Sequence, residues 1–198
     1  MGIGGTVVCT TGALPAPRLD NATPDGAESA PVGTNDLKEA PAAVDESQSK
    51  EELAHATVLI EDVIRRMGLD PETVSIAVPE PSRAWSLMRG SAAVAVFLRP
   101  ARAGEDSAQL RIVAPIIRMA AGDPLPLFRS LLELNAGGLG AVSFGVQEDR
   151  VVVVAERRTL DLERAEVEFL IHRVGAVGDH YDDELIARFG GSRITDPS

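Results

Sequence analysis

"RVVVVAERRTLDLERAEVEFLIHRVGAVGDHYDDELIARFGG", residues 150–191, changes its apolar period partway along. Val151 to Val154 place apolar side chains on both alternations of an extended chain, the pattern of a strand covered on two faces. After a Leu/Asp turn the repeat becomes helical. Val167, Leu170, Ile171, Val174, Val177, Tyr181, Leu185 and Phe189 fall on one stripe of a helix that runs from about Leu162 to Phe189. Gly175 and Gly178 weaken the middle of that helix, and Gly190 with Gly191 ends it. A hairpin strand leading straight into a long terminal helix predicts a sheet with helices packed on it.

The same helix ends in a dense set of acids and histidine, "GDHYDDELIARFGG" at 178–191. At ~100° per residue, His172, Asp179, His180, Asp183 and Glu184 point away from the apolar stripe. His172 and His180 lie eight residues apart, too far to share a metal as an i, i+4 pair does. His180 and Glu184 have that spacing, yet two ligands on one exposed helix make an incomplete site. The cluster reads as the wet face of the helix, so no catalytic, cofactor-binding or metal-ligating residue is expected there.

Upstream, "SKEELAHATVLIEDVIRRMG" at 49–68 opens with Ser49 and Glu52 spaced as a capping box. It carries Leu53, Ala56, Ile60, Val63, Ile64 and Met67 at helical spacing. Gly68 stops this helix and Pro71 prevents its return. "AWSLMRG", "AAVAVFLRP" and "AQLRIVAPIIRM" then predict three antiparallel strands, the first two joined by a tight turn at Gly90 and Ser91, with "TVSIAV" extended before them. Pro115 cannot donate to a ladder, so its strand bends there or lies at an edge.

"GDPLPLFRSLLELNAGG" predicts a second helix with Asp123 as N-cap, Pro124 at the first helical position and Gly137 as the stop. Its residues Leu125, Leu127, Phe128, Leu131, Leu132 and Leu134 cover about half the helix wheel, more than the ~100° stripe that one contact needs. The surplus predicts a second partner, such as another subunit. "AVSFGVQ" and "RVVVVAERRT", around a turn at Glu148 and Asp149, complete another hairpin. The fold class is therefore α+β, an antiparallel sheet of about five strands in the order α-β-β-β-α-β-β-α. Residues 1–48, rich in Pro, Gly, Ala, Ser and Thr without periodicity, read as a disordered tail. Residues 49–191 read as the domain and 192–198 as a flexible C-terminus.

Composition narrows the functions. Apolar residues make up 44% and aromatics 4%, so the core must come from Val, Leu, Ile and Ala. A net charge of -11 repels phosphate backbones and anionic headgroups, which disfavours nucleic acid as a partner. No apolar run approaches the roughly 20 residues that span a bilayer, so no membrane association is expected. Cys9 is the only cysteine, which forbids an intramolecular disulfide and fits a reducing, cytoplasmic compartment. "GIGGTVVCTTG" lacks the basic and continuous apolar regions of a signal peptide, and Val8 is too large for the small residue that precedes a lipid-modified cysteine.

"GIGG" follows no strand and lacks the third glycine of a dinucleotide loop. Arg157 and Arg158 fit either an anion clamp or a charge pair at a strand end, and the acidic surroundings favour the second. Trp85 and Tyr181 read as core or rim. Nothing matches a nucleophile elbow, a P-loop or paired Cys and His, so an enzyme is not expected.

Three segments, "LRIVAPIIRM", "LFRSLLELNAG" and the strand–helix stretch from Val151 to Gly191, resemble the YbjN-domain family, which shares its fold with the type III secretion chaperones of the Tir and Yop type. With the first helix, the resemblance covers roughly residues 50 to 191. It implies an α+β domain whose sheet is covered by the first and last helices. In the secretion chaperones it implies a small acidic homodimer without enzymatic activity that holds partly unfolded client protein. Some family members carry the label of sensory transduction regulator.

The expected function is thus a non-enzymatic peptide- or protein-binding module that holds extended client segments, partly by strand addition. The alternative is a sensory transduction or stress-response regulator acting through a small ligand or regulatory partner. Leu127, Phe128, Leu131 and Leu132 are the expected dimer interface. Val152, Val154, Ile112 and Ile116 are the expected client surface. The ratio of 17 Arg to 2 Lys fits a bacterium with a GC-rich genome.

Overall fold

The first helix, α1 (Glu46–Arg66), starts three residues before the expected capping box. Ser49 is therefore inside the helix, and the Glu52 carboxylate accepts a hydrogen bond from the Thr159 hydroxyl instead of capping. A computed structural model describes residues 46–90 and 92–194, with side chains from Ser49 onward. The expected tail up to residue 45, Cys9 and residues 195–198 lie outside the described residues. Leu53, Ala56, Ile60, Val63 and Ile64 form the buried face of α1, as their spacing predicts.

The strands are β1 (Arg83–Arg89), β2 (Ala92–Arg99), β3 (Gln109–Arg118), β4 (Ser143–Gln147) and β5 (Arg150–Arg158). They pair antiparallel in the order β1-β2-β3-β5-β4. Helix α2 (Leu125–Ala136) follows β3, and α3 (Arg164–Phe189) follows β5. Asp123 still serves the start of α2, its carboxylate accepting the Leu125 N–H at 3.0 Å, while Pro124 occupies the N-cap position. Residues 74–76 extend along β1, with Ser86 N–H donating to Val74 C=O and Ile76 N–H to Ala84 C=O.

One strand was not expected. Ser192–Arg193 form β6, antiparallel to Ile117 and Arg118 of β3, where the sequence reads as flexible. Gly190 (φ +76°) and Gly191 (φ +100°) turn the chain back, and a Cβ on Gly191 would lie 2.2 Å from the Arg118 carbonyl oxygen. The sheet thus has six strands among the described residues.

Pro115 sits in the central strand rather than at an edge, and the expected bend is there. The register with β5 shifts between Pro115 and Ile117, and pairing with β2 stops at Ala95↔Val113. Alternation then assigns the faces. Trp85 and Leu87, Val94, Val96 and Leu98, Leu110 and Ile112, Val151 and Val153 join α1, α2 and α3 in one core. Gly178 of α3 lies against Ile116, Ala92 and Ala114, so α3 rests on the middle of this face.

Candidate functional site

The other alternation forms a second sheet face. Cross-strand register sets Ser86, Ala95, Val113, Val154 and Ser143 in one row and Ala84, Phe97, Arg111 and Glu156 in the next. On the other side of the first row Met88 pairs with Ala93 and Pro115 with Val152, where β2 and β3 no longer pair. Ala84, Ala95, Val113 and Val152 are buried yet stand outside the core that the three helices share. Met88 is exposed, and Ala93, Phe97 and Val154 are half-buried. The middle of this face is therefore apolar and built from small side chains.

Ion pairs edge it. Arg111 pairs with Glu156 across β3 and β5, and Arg158 Nη1 lies 2.5 Å from Asp106. Arg99 grips Glu105 with both Nη atoms, at 2.5 and 2.7 Å. That guanidinium, helped by the Arg102 backbone N–H, holds the Glu105 carboxyl down at about 2. At the opposite end Asp149 lies 3.2 Å from Arg118 and 3.7 Å from Arg150. Arg157 binds Glu166 of α3 at 2.7 Å, so both strand-end arginines are engaged in ion pairs rather than set as an anion clamp.

Of the expected client residues, Val152 and Val154 lie on this face, which no helix among the described residues covers. Ile112 and Ile116 do not. Both belong to the opposite alternation, buried in the core beneath α3, because β3 is central and covered there. The two outer edges are partly occupied. Residues 74–76 pair the outer side of β1, and Asn135 of α2 pairs the outer side of β4, its Nδ2 donating to Phe144 C=O and its Oδ1 accepting the Phe144 N–H. Strand addition has room only beyond those points.

The expected dimer residues divide between two faces of α2. Leu127 and Leu131 are buried in the chain's own core, so they cannot meet a second subunit. Leu132 is 68% exposed, as is Leu125, and half-buried Phe128 lies between them on the same stripe. The helix wheel is apolar on both sides because one side faces inward and the other is left outside.

On α3, His172, Asp179, His180, Asp183 and Glu184 are all exposed, the wet face that their phase predicts. His172 takes a hydrogen bond from Arg89 Nη2. Asp182, absent from the sequence reading, is buried, although its place four residues after Gly178 puts it on the apolar stripe. Its carboxylate lies 3.4 Å from Arg193 Nε, beside a cavity of about 20 Å³ bounded by Ala93, Pro115, Ile116, Gly178 and Asp182. No helix among the described residues is long and apolar enough to cross a membrane.

Residues 54–197 match the model of a family described as T3SS (YopN, CesT) and YbjN peptide-binding chaperone 1. No match is found among curated proteins. Among solved structures, a chain of the ExsC–ExsE complex is 18% identical with a TM-score of 0.49, over 66% of this chain and 93% of that one. A chain of the HopA1–SchA chaperone–effector complex is 14% identical with a TM-score of 0.47, over 68% of this chain and 97% of that one. With its antiparallel sheet and the family match across both halves of the domain, the chain belongs to the T3SS and YbjN peptide-binding chaperones.

Proposed function

We propose that the domain is a non-enzymatic, cytoplasmic homodimer that holds extended stretches of a client protein across the helix-free face of its sheet. The observation that carries this reading is that face itself, with apolar side chains from four neighbouring strands and ion pairs at its ends. A flat apolar strip suits the alternate side chains of an extended peptide, and charged ends set its register. Val154 and Phe97, half-buried on the strip, are the contact residues, with Val152 next to Val154 on the same face of β5. The outer stripe of α2 supplies the dimer contact.

The small-ligand alternative gains no support from the cavity beside Asp182. Its volume of about 20 Å³ accommodates a water molecule, whereas ligand sites run to about 300 Å³ or more.

Selection of short random peptides on the full chain tests the proposal. Enriched peptides should carry apolar residues at alternate positions, and Val154→Asp should weaken their binding roughly ten-fold or more. Glu61→Gln, on α1, should leave binding unchanged. Failure to enrich any peptide, or equal binding by Val154→Asp, would remove the sheet face as the client surface.

A further inference from the structure

β6 closes a notch in the central strand. Beyond Val113 the β2 side of β3 loses its partner, since Pro115 has no N–H to offer, and Ser192 and Arg193 pair instead with Arg118 and Ile117. The Arg193 side chain turns onto two carboxylates of α3. Its Nε lies 3.4 Å from Asp182, and its Nη2 donates to Asp183. Asp182 is the only charged side chain among the described residues that is buried, at 6% exposure, and a buried carboxylate is costly unless a cation meets it. Ile194, the next residue, borders the cavity beside Ala93 and Ile116.

We propose that this notch is a docking site for an extended peptide carrying a basic residue followed by an apolar one, and that Ser192–Ile194 is its resident, displaceable occupant. The hold is short. A strand of two paired residues held by ion pairs to Asp182 and Asp183 belongs to the less stable parts of a fold, the parts that open first. The hinge is already present, because Gly190 and Gly191 separate the segment from α3 at positive φ, so it can leave without disturbing the helix. The chemistry is selective: Asp182 and Asp183 accept a guanidinium or ammonium and repel an acid. A client strand entering here would take over the pairing to Ile117 and Arg118 as its basic side chain replaces Arg193.

This site deepens the peptide-binding reading but lies along the β6 side of β3, at the Ala93 and Pro115 end of the sheet face and apart from Val154 and Phe97. Its test therefore uses the chain's own segment as the probe, a fluorescent peptide of residues 190–198, with the full chain and its Arg193→Glu variant. Charge reversal beside Asp182 and Asp183 should expel the resident segment. The variant should bind the probe roughly ten-fold tighter than the unaltered chain, and a probe with Glu in place of Arg should bind neither. Amide exchange at Arg118, whose backbone faces β6 while that of Ile117 faces β5, should be slow in the unaltered chain, fast in Arg193→Glu, and slow again with the probe.

Equal probe binding by the two proteins, or an Arg118 amide that stays slow in the folded variant, overturns the proposal. Should Arg193→Glu unfold, Ser192→Pro, which restrains the β6 backbone and leaves α3 untouched, takes its place with the same expected results. Unfolding of both variants also overturns it, since the segment would then be a structural clasp. Val154→Asp leaves the notch unaltered, so failure at either surface does not imply failure at the other.

Discussion

Gly175 and Gly178 weaken α3 as helix formers and yet bring it close to the sheet. A Cβ on Gly175 would stand 2.7 Å from the Arg89 Cβ and 3.5 Å from Val94 Cγ2; on Gly178 it would stand 3.0 Å from Ile116 Cγ2. The two conflicting effects can be weighed. Alanine gains about 1 kcal/mol over glycine inside a helix. Forcing a methyl into a filled contact costs about 1–3 kcal/mol. The Arg89 Cβ is fixed to its strand and cannot step aside as a flexible tip would, so the clash should win at Gly175. Gly175→Ala is expected to lose net stability, by up to about 2 kcal/mol in urea unfolding, with Gly178→Ala milder. A gain in stability would mean that α3 does not depend on this approach. Helical periodicity reports which face of a helix is buried but not how near the opposing backbone comes, and so the sequence shows these glycines only as weak points.

Helix α2 is tied to the sheet by one side chain. Asn135 binds the Phe144 backbone through both ends of its amide, at 3.1 and 2.8 Å, where a neighbouring strand would otherwise pair with β4. Asn135→Ala leaves that N–H and C=O unpaired, at a cost of about 1–3 kcal/mol. It also bares the edge of β4. The expected result is a lower Tm together with faster aggregation in light scattering, and a lower Tm alone would show that the edge is protected some other way. The five longer strands and three helices were legible because alternation, helical spacing and turn residues such as Gly68 and Gly137 are local signals. Asn135 and β6 were not, since each depends on a partner far along the chain. Ser49 and Glu52 misled for the same reason: Thr159, more than a hundred residues later, takes the Glu52 carboxylate.

Which sheet face a residue takes was less legible than the strands themselves. Val152, Val154, Ile112 and Ile116 were expected together as a client surface, but an all-valine run is apolar on both alternations and cannot say which side α3 covers. The structure puts Ile112 and Ile116 in the core beneath α3 and the two valines on the other face. The same ambiguity on α2 has a direct consequence for assembly. Leu127 and Leu131 face inward, so Leu131→Ala should cost about 2–5 kcal/mol of the chain's own stability. Leu125 and Leu132 face outward, so Leu125→Asp with Leu132→Asp should leave stability almost unchanged while separating a dimer into monomers in sedimentation. A stable dimer buries about 800 Å² per partner, more than one helix of 12 residues presents, so the contact must extend past α2 onto its surroundings. Salt gives a second signature. Each chain carries a net charge of -11, and two such chains repel at low ionic strength. An interface held by leucine and phenylalanine should therefore tighten as salt rises from about 0.05 to 0.5 M, where an interface held by ion pairs would loosen. Sedimentation of the unaltered chain as a monomer at both salt concentrations would instead leave the outer stripe of α2 without a role in self-association.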